Sequence, residues 1–91
     1  PRRAWVVVEQ GHLVEKSVRD IDVGTLILVK AGEIIPLDGV VVEGRSYLNL
    51  VYLTGESAPA PKKSGDEVPA GANNLDGTLT IRVLRNSRDS T

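Results

Sequence analysis

Apolar residues in this chain come in short runs broken by glycine and charge, and no stretch keeps a helical period over a useful length. "AWVVVEQGHLVEKSV" reads as two β-rich stretches joined by a hairpin turn at Gln10-Gly11, where the glycine tolerates positive φ. The polar "RDIDVG" leads to "TLILVK", short and rich in branched residues, which suits a buried strand. "AGEIIPLDG" is a predicted loop in which Pro36 fixes φ and Asp38-Gly39 makes a second tight turn. "VVVEG" is a further short strand, and "SYLNLVYL" is either a strand or an irregular entry into the segment that follows. Beyond it, Pro59, Pro61 and Pro69 exclude a helix and confine any strand to an edge or a bulge. "NLDGTLTIRVLR" brings an Asp76-Gly77 turn and then the clearest alternation in the sequence, with Leu79, Ile81 and Val83 on one face and Thr80, Arg82 and Leu84 on the other. Seven or so short strands separated by glycine turns predict an all-β sandwich, barrel or jelly roll.

Composition narrows this picture. A chain of 91 residues supports one core, burying roughly 60–70% of its unfolded surface. Aromatics are limited to Trp5, Tyr47 and Tyr52, so the core must be built from Val, Leu and Ile, a composition that favours strands. Lys and Arg number 11 against 12 Asp and Glu, with no basic block to neutralise a run of phosphates; no nucleic-acid partner is expected. Without cysteine there is neither a disulfide framework nor a thiolate metal site, and His12 alone cannot build an imidazole cluster. No run approaches the roughly 18–20 apolar residues that span a bilayer, so these residues are expected to be soluble by themselves. The lack of Met and the polar "RNSRDST" at the end suggest a domain excised from a longer protein, although removal of an initiator before Pro1 also accounts for the missing Met.

Candidate chemistry centres on "LTGES". Gly55 permits a tight turn that gathers one carboxylate, Glu56, and two hydroxyls, Thr54 and Ser57, on a short arc. Taken alone, a loop glutamate is usually a solubilising charge, and the two hydroxyls can equally satisfy turn backbone. Ser57 as a nucleophile would need His12 beside it, a single improbable contact. Asp20 and Asp22 are spaced like the start of a calcium loop but lack its later ligands, which leaves a polar connector. Glycines 24, 32, 39 and 44 form no phosphate loop and read as turn glycines. Lys62 and Lys63 make a small basic step, solvated by default, with a surface facing phosphate or a partner as the minority reading.

Read in order, "DVGTLILVKAGEIIPLDGVVVEG", "LTGES", "KKSGDEVPAG" and "NNLDGTL" resemble the successive signatures of the actuator domain of P-type cation-transporting ATPases, and most of all its heavy-metal-transporting branch. The resemblance runs from about Val6 to the end and keeps both order and spacing. Thr25, Ala31 and Ala72 depart from the family's usual residues and look like scaffold variation; Asn49 is similar to the asparagine of some zinc, cadmium and cobalt-type relatives.

The resemblance implies a mainly all-β fold, a distorted jelly roll like a double-stranded β-helix, with residues 1–91 forming a single actuator domain. It also implies a division of labour. An aspartate on a separate phosphorylation domain is phosphorylated by ATP; the actuator domain then swings in, with Glu56 orienting and deprotonating the attacking water and Thr54, Gly55 and Ser57 shaping the loop. ATP and Mg²⁺ belong to the full-length protein, with no cofactor expected in this domain. The implied partners are the phosphorylation and nucleotide-binding domains and the transmembrane helices of the same polypeptide, with a cation such as Zn, Cd, Co or Cu bound elsewhere. The implied location is the cytosolic side of an integral membrane protein. Two alternatives stand beside this reading: a non-catalytic β-barrel interaction module, and the actuator domain of a pump for another cation.

Overall fold

The computed structural model describes residues 2–89; Pro1, Ser90 and Thr91, from the two ends weighed above, lie outside them. Short runs of branched residues become strands here because strands such as Leu79–Val83 bury alternate side chains in one shared core, whereas Leu13–Ser17 is held by pairing with Arg3–Val7 and stays largely exposed. β1 (Arg3–Val7) and β2 (Leu13–Ser17) form the expected hairpin. At its turn Gln10 joins Gly11 in the left-handed region, at φ 61° and 75°.

β3 (Leu26–Val29), β4 (Gly39–Glu43), β7 (Glu67–Val68) and β9 (Leu79–Val83) complete a six-stranded antiparallel sheet in the order β2-β1-β3-β9-β4-β7. β5 (Ser46–Asn49) is the centre of a second, three-stranded sheet, between β6 (Ala60–Lys62) and β8 (Asn73–Asn74). The nine strands exceed the seven or so expected because β7 and β8 are two-residue pairings with no periodicity of their own. Pro61 sits on β6, an outer strand, as a residue without an N–H must.

The alternation seen in β9 is borne out: Leu79, Ile81 and Val83 are fully buried. They join Val6, Ile27, Val29, Val41 and Leu48 in one cluster fed by both sheets, the all-β, distorted jelly-roll class. Among the described residues no helix is long and apolar enough to cross a membrane.

Asp38-Gly39 does not form the expected tight turn. Gly39 opens β4, and a Cβ there would lie 2.3 Å from Ile81 Cγ2 and 2.6 Å from the Arg82 carbonyl, so close approach to β9 demands the glycine. Gly77 is similar: the chain bends there without positive φ, and a Cβ would lie 2.0 Å from the Arg45 carbonyl. Gly39 is therefore a packing glycine; Gly24 and Gly32 are in the left-handed region with open space around them as turn glycines, and Gly44 combines positive φ with close approach to the Thr78 carbonyl.

Beside the shared apolar core, a polar network ties the small sheet to the large one. Asn74, fully buried, donates through Nδ2 to the Val29 carbonyl (3.1 Å) and the Gly77 carbonyl (2.6 Å), and its Oδ1 accepts from the Ser46 hydroxyl (2.5 Å). Ser46 Oγ in turn accepts from the Gly77 N–H (2.9 Å), and Asp76 Oδ1 accepts from the Tyr47 N–H (3.2 Å). The Asn74 backbone adds bonds to Glu33 and Gly32. One side chain thereby joins β3, β5 and the bend before β9. Asn74→Ala removes the amide donor from the Val29 and Gly77 carbonyls, while the Ser46 hydroxyl keeps Asp76 Oδ1 as an acceptor (3.0 Å), and is expected to cost about 2–4 kcal/mol. Urea denaturation tests this: the midpoint should fall at unchanged m-value, and a loss within about 0.5 kcal/mol would contradict it.

Candidate functional site

β5 ends at Asn49, and the chain leaves the sheet at once. Asn49 Oδ1 accepts from the Val51 N–H (2.9 Å), satisfying a donor that the first turn of a helix otherwise leaves open. A one-turn helix, α1 (Val51–Thr54), follows, so the irregular entry foreseen for "SYLNLVYL" is a strand and then a single turn. Thr54 N donates to the Leu50 carbonyl and Gly55 N to the Val51 carbonyl, both at 2.9 Å. Gly55 closes the turn at φ 80°, ψ −5°, the left-handed cap that glycine adopts without strain.

The Thr54 hydroxyl donates to the Leu50 carbonyl (3.3 Å) and accepts from the Glu56 N–H (3.2 Å), so it is engaged inside the loop it helps to shape. Glu56 is exposed and forms no ion pair with any described residue. Ser57 is exposed as well. Thr54, Gly55, Glu56 and Ser57 thus share one protruding turn, fixed on its upstream side by α1 and on its downstream side by β6. A carboxylate so held can accept a proton from, or orient, a water brought against it; nothing else in the turn is a base.

Other candidates are not brought to this turn. His12 is exposed near the β1–β2 turn and makes no hydrogen bond to Ser57, so a triad has no geometric support. Asp22 pairs with Arg88, and no group of three or more potential metal-ligating His, Cys, Asp or Glu side chains occurs among the described residues. Lys62 and Lys63 line an open cleft of about 350 Å³ with Arg45 and Tyr47. Lys63 also faces Asp66 at 3.9 Å, and the Lys-Ser-Gly-Asp turn is fastened to β4 by Gly65 N to the Val41 carbonyl (2.8 Å) and Val41 N to the Asp66 carbonyl (2.9 Å).

Sequence reasoning missed two features of the loop. Tyr52 is 95% exposed, an aromatic ring presented to solvent from the single helical turn that precedes the carboxylate. The turn role of Asn49, named above only for its likeness to some relatives, is the other, and its signal was present: an Asn immediately before a short apolar run is a turn-initiating residue.

Three comparisons with known proteins show the family to which the chain belongs. The family model for the P-type ATPase actuator domain matches residues 1–91. The chain is 45% identical over 84 residues to the copper-exporting P-type ATPase B of Archaeoglobus fulgidus, covering 92% of this chain and 12% of that protein. It is 46% identical over 86 residues to the cadmium/zinc-transporting ATPase HMA3 of Oryza sativa subsp. japonica, covering 94% of this chain and 8% of that one. A crystal structure of a zinc-transporting PIB-type ATPase in its E2.Pi state superposes with a TM-score of 0.87 at 33% identity, over 96% of this chain and 14% of that one. The chain belongs to the P-type ATPase actuator-domain family, in its heavy-metal-transporting branch. It spans only a small part of the proteins it matches.

The cap at Gly55 yields a test of the turn itself. A Cβ there would meet no atom within 4 Å, so backbone conformation alone restricts the position. Gly55→Ala is expected to cost about 1 kcal/mol, and Gly55→Asn less, because asparagine enters the left-handed region more readily. Thermal denaturation of the two variants measures the difference; equal loss in both would show that conformation is not what selects glycine.

Proposed function

We propose that this domain hydrolyses the aspartyl-phosphate intermediate of a heavy-metal-transporting P-type ATPase through Glu56, and couples that step to movement of a cation across the membrane. The observation that carries the reading is an exposed carboxylate, without an ion pair among the described residues, on a turn whose backbone is hydrogen-bonded from β5 to Glu56 itself. In this mechanism Glu56 accepts a proton from water as the water oxygen attacks phosphorus. The bond between phosphorus and the aspartyl oxygen breaks, the aspartate leaves as carboxylate, and inorganic phosphate departs. Phosphoryl transfer passes through a loose transition state, so positioning and electrostatics supply most of the catalysis. General-base action by one held carboxylate contributes about 10²–10⁴-fold.

Thr54 and Gly55 set the loop's shape, and Ser57 borders it. The aspartate, the nucleotide site and the cation ligands belong on this reading to other parts of the same polypeptide, with ATP and Mg²⁺ held there and this domain on the cytosolic side. The metal-transport names of the relatives favour a cation of the copper, zinc or cadmium class.

In the full-length protein, Glu56→Ala is expected to leave phosphorylation by ATP largely intact and to slow loss of the phosphoenzyme by about 10²-fold or more. Glu56→Gln keeps an oxygen that can hold the water but is a far poorer proton acceptor, so its rate separates holding from deprotonation. The measurement is decay of acid-stable phosphoenzyme after an ATP chase. Decay of Glu56→Ala at the wild-type rate would remove the catalytic role and favour an interaction module.

A further inference from the structure

The turn that carries Glu56 is held on its upstream side by the Leu50 side chain, packed against the core, and by one polar contact from the end of β5. Leu48 is fully buried, and Asn49 is the last residue of β5, half-buried and paired in register with Asn73 of β8. The two amides do not bond each other: the buried Asn73 Oδ1 has no partner. Asn49 instead directs its oxygen forward, to the Val51 N–H at 2.9 Å. From there hydrogen bonds run without a break. Val51 and Leu50 present their carbonyls to Gly55 N and Thr54 N, the Thr54 hydroxyl returns to the Leu50 carbonyl, and the same hydroxyl receives the Glu56 N–H. Leu50, which flanks the helix, provides no side-chain cap of its own. Without the Asn49 oxygen, the Val51 N–H loses its partner, and the packing of Leu50 against the core holds the loop's position without fixing its direction by a hydrogen bond.

We infer that Asn49 is a positioning residue for the reaction proposed above: its side-chain oxygen caps α1 and so fixes the direction in which the Glu56 carboxylate leaves the sheet. The residue touches neither phosphate nor water. Its effect is transmitted through the backbone of residues 50–56, and a displacement of about 1 Å at a reacting group is enough to cost on the order of 10²-fold in rate.

The inference rests on the role proposed for Glu56, and the test separates the two. In the full-length protein, Asn49→Ala is expected to slow phosphoenzyme decay by about 10–100-fold while the level of phosphorylation by ATP stays at that of the wild type. Asn49→Asp retains an oxygen at the same reach and should recover most of the rate. Asn49→Gln keeps the amide but moves it one methylene further out, and should not recover it. With Glu56→Ala in the background, adding Asn49→Ala should slow decay no further, because a residue that acts through Glu56 has nothing left to position. A general loss of structure would instead lower phosphorylation and would not be rescued by Asp. Normal decay in Asn49→Ala with slow decay in Glu56→Ala overturns this inference alone. Additive effects of the two substitutions overturn it as well. Normal decay in Glu56→Ala overturns the functional reading and this inference with it.

Discussion

The buried amide of Asn74 is the constraint on which the rest of the structure depends. The small sheet has three short strands and is joined to the large one by the buried Leu48, by backbone bonds of Asn74 and by the Asn74 side chain. Asn74 secures it by bonding the Val29 carbonyl of the large sheet, the Gly77 carbonyl and the Ser46 hydroxyl at once. Buried polar groups that are fully paired define one arrangement, because every alternative leaves a donor or acceptor stranded. Ser46 is the first residue of β5, and β5 runs straight into the turn bearing Glu56. The orientation of the exposed carboxylate is thus set, through one strand, by a side chain with no solvent exposure.

The turn combines rigidity with exposure, which are usually opposed. Rigidity comes from the Asn49 cap, the left-handed Gly55 and the Thr54 hydroxyl; exposure follows because none of these bonds uses the Glu56 carboxylate. A group meant for a reaction on another domain has to remain free of partners in its own. That Glu56 pairs with no described residue is a feature that a solvated charge and a catalytic base share, and the ordered backbone behind it is what the proposed role as a base requires.

Much of the fold was legible in the sequence. Alternation identified β9, the branched run identified β3, and Gln10-Gly11 identified the first hairpin, because each depends on local pattern and burial alone. Asp38-Gly39 misled because a glycine needed for φ and one needed for close approach look the same in sequence; the contact with Ile81 is long-range. β7 and β8 escaped notice because two-residue strands have no period. At the site, the Thr54–Ser57 turn was legible from glycine and proline. The Asn74 network was not, since its members at 29, 46, 74 and 77 are brought together only by the fold.

The central claim is that Glu56 activates the water in the step that joins acyl phosphate and inorganic phosphate. Isotopic oxygen exchange between inorganic phosphate and water, catalysed by the full-length protein in the absence of ATP, measures that step in both directions and bypasses phosphorylation by nucleotide. The account predicts that exchange is readily detected in the wild type and reduced by about 10²-fold or more when Glu56 is replaced by Ala. Exchange at the wild-type rate in that variant would contradict it.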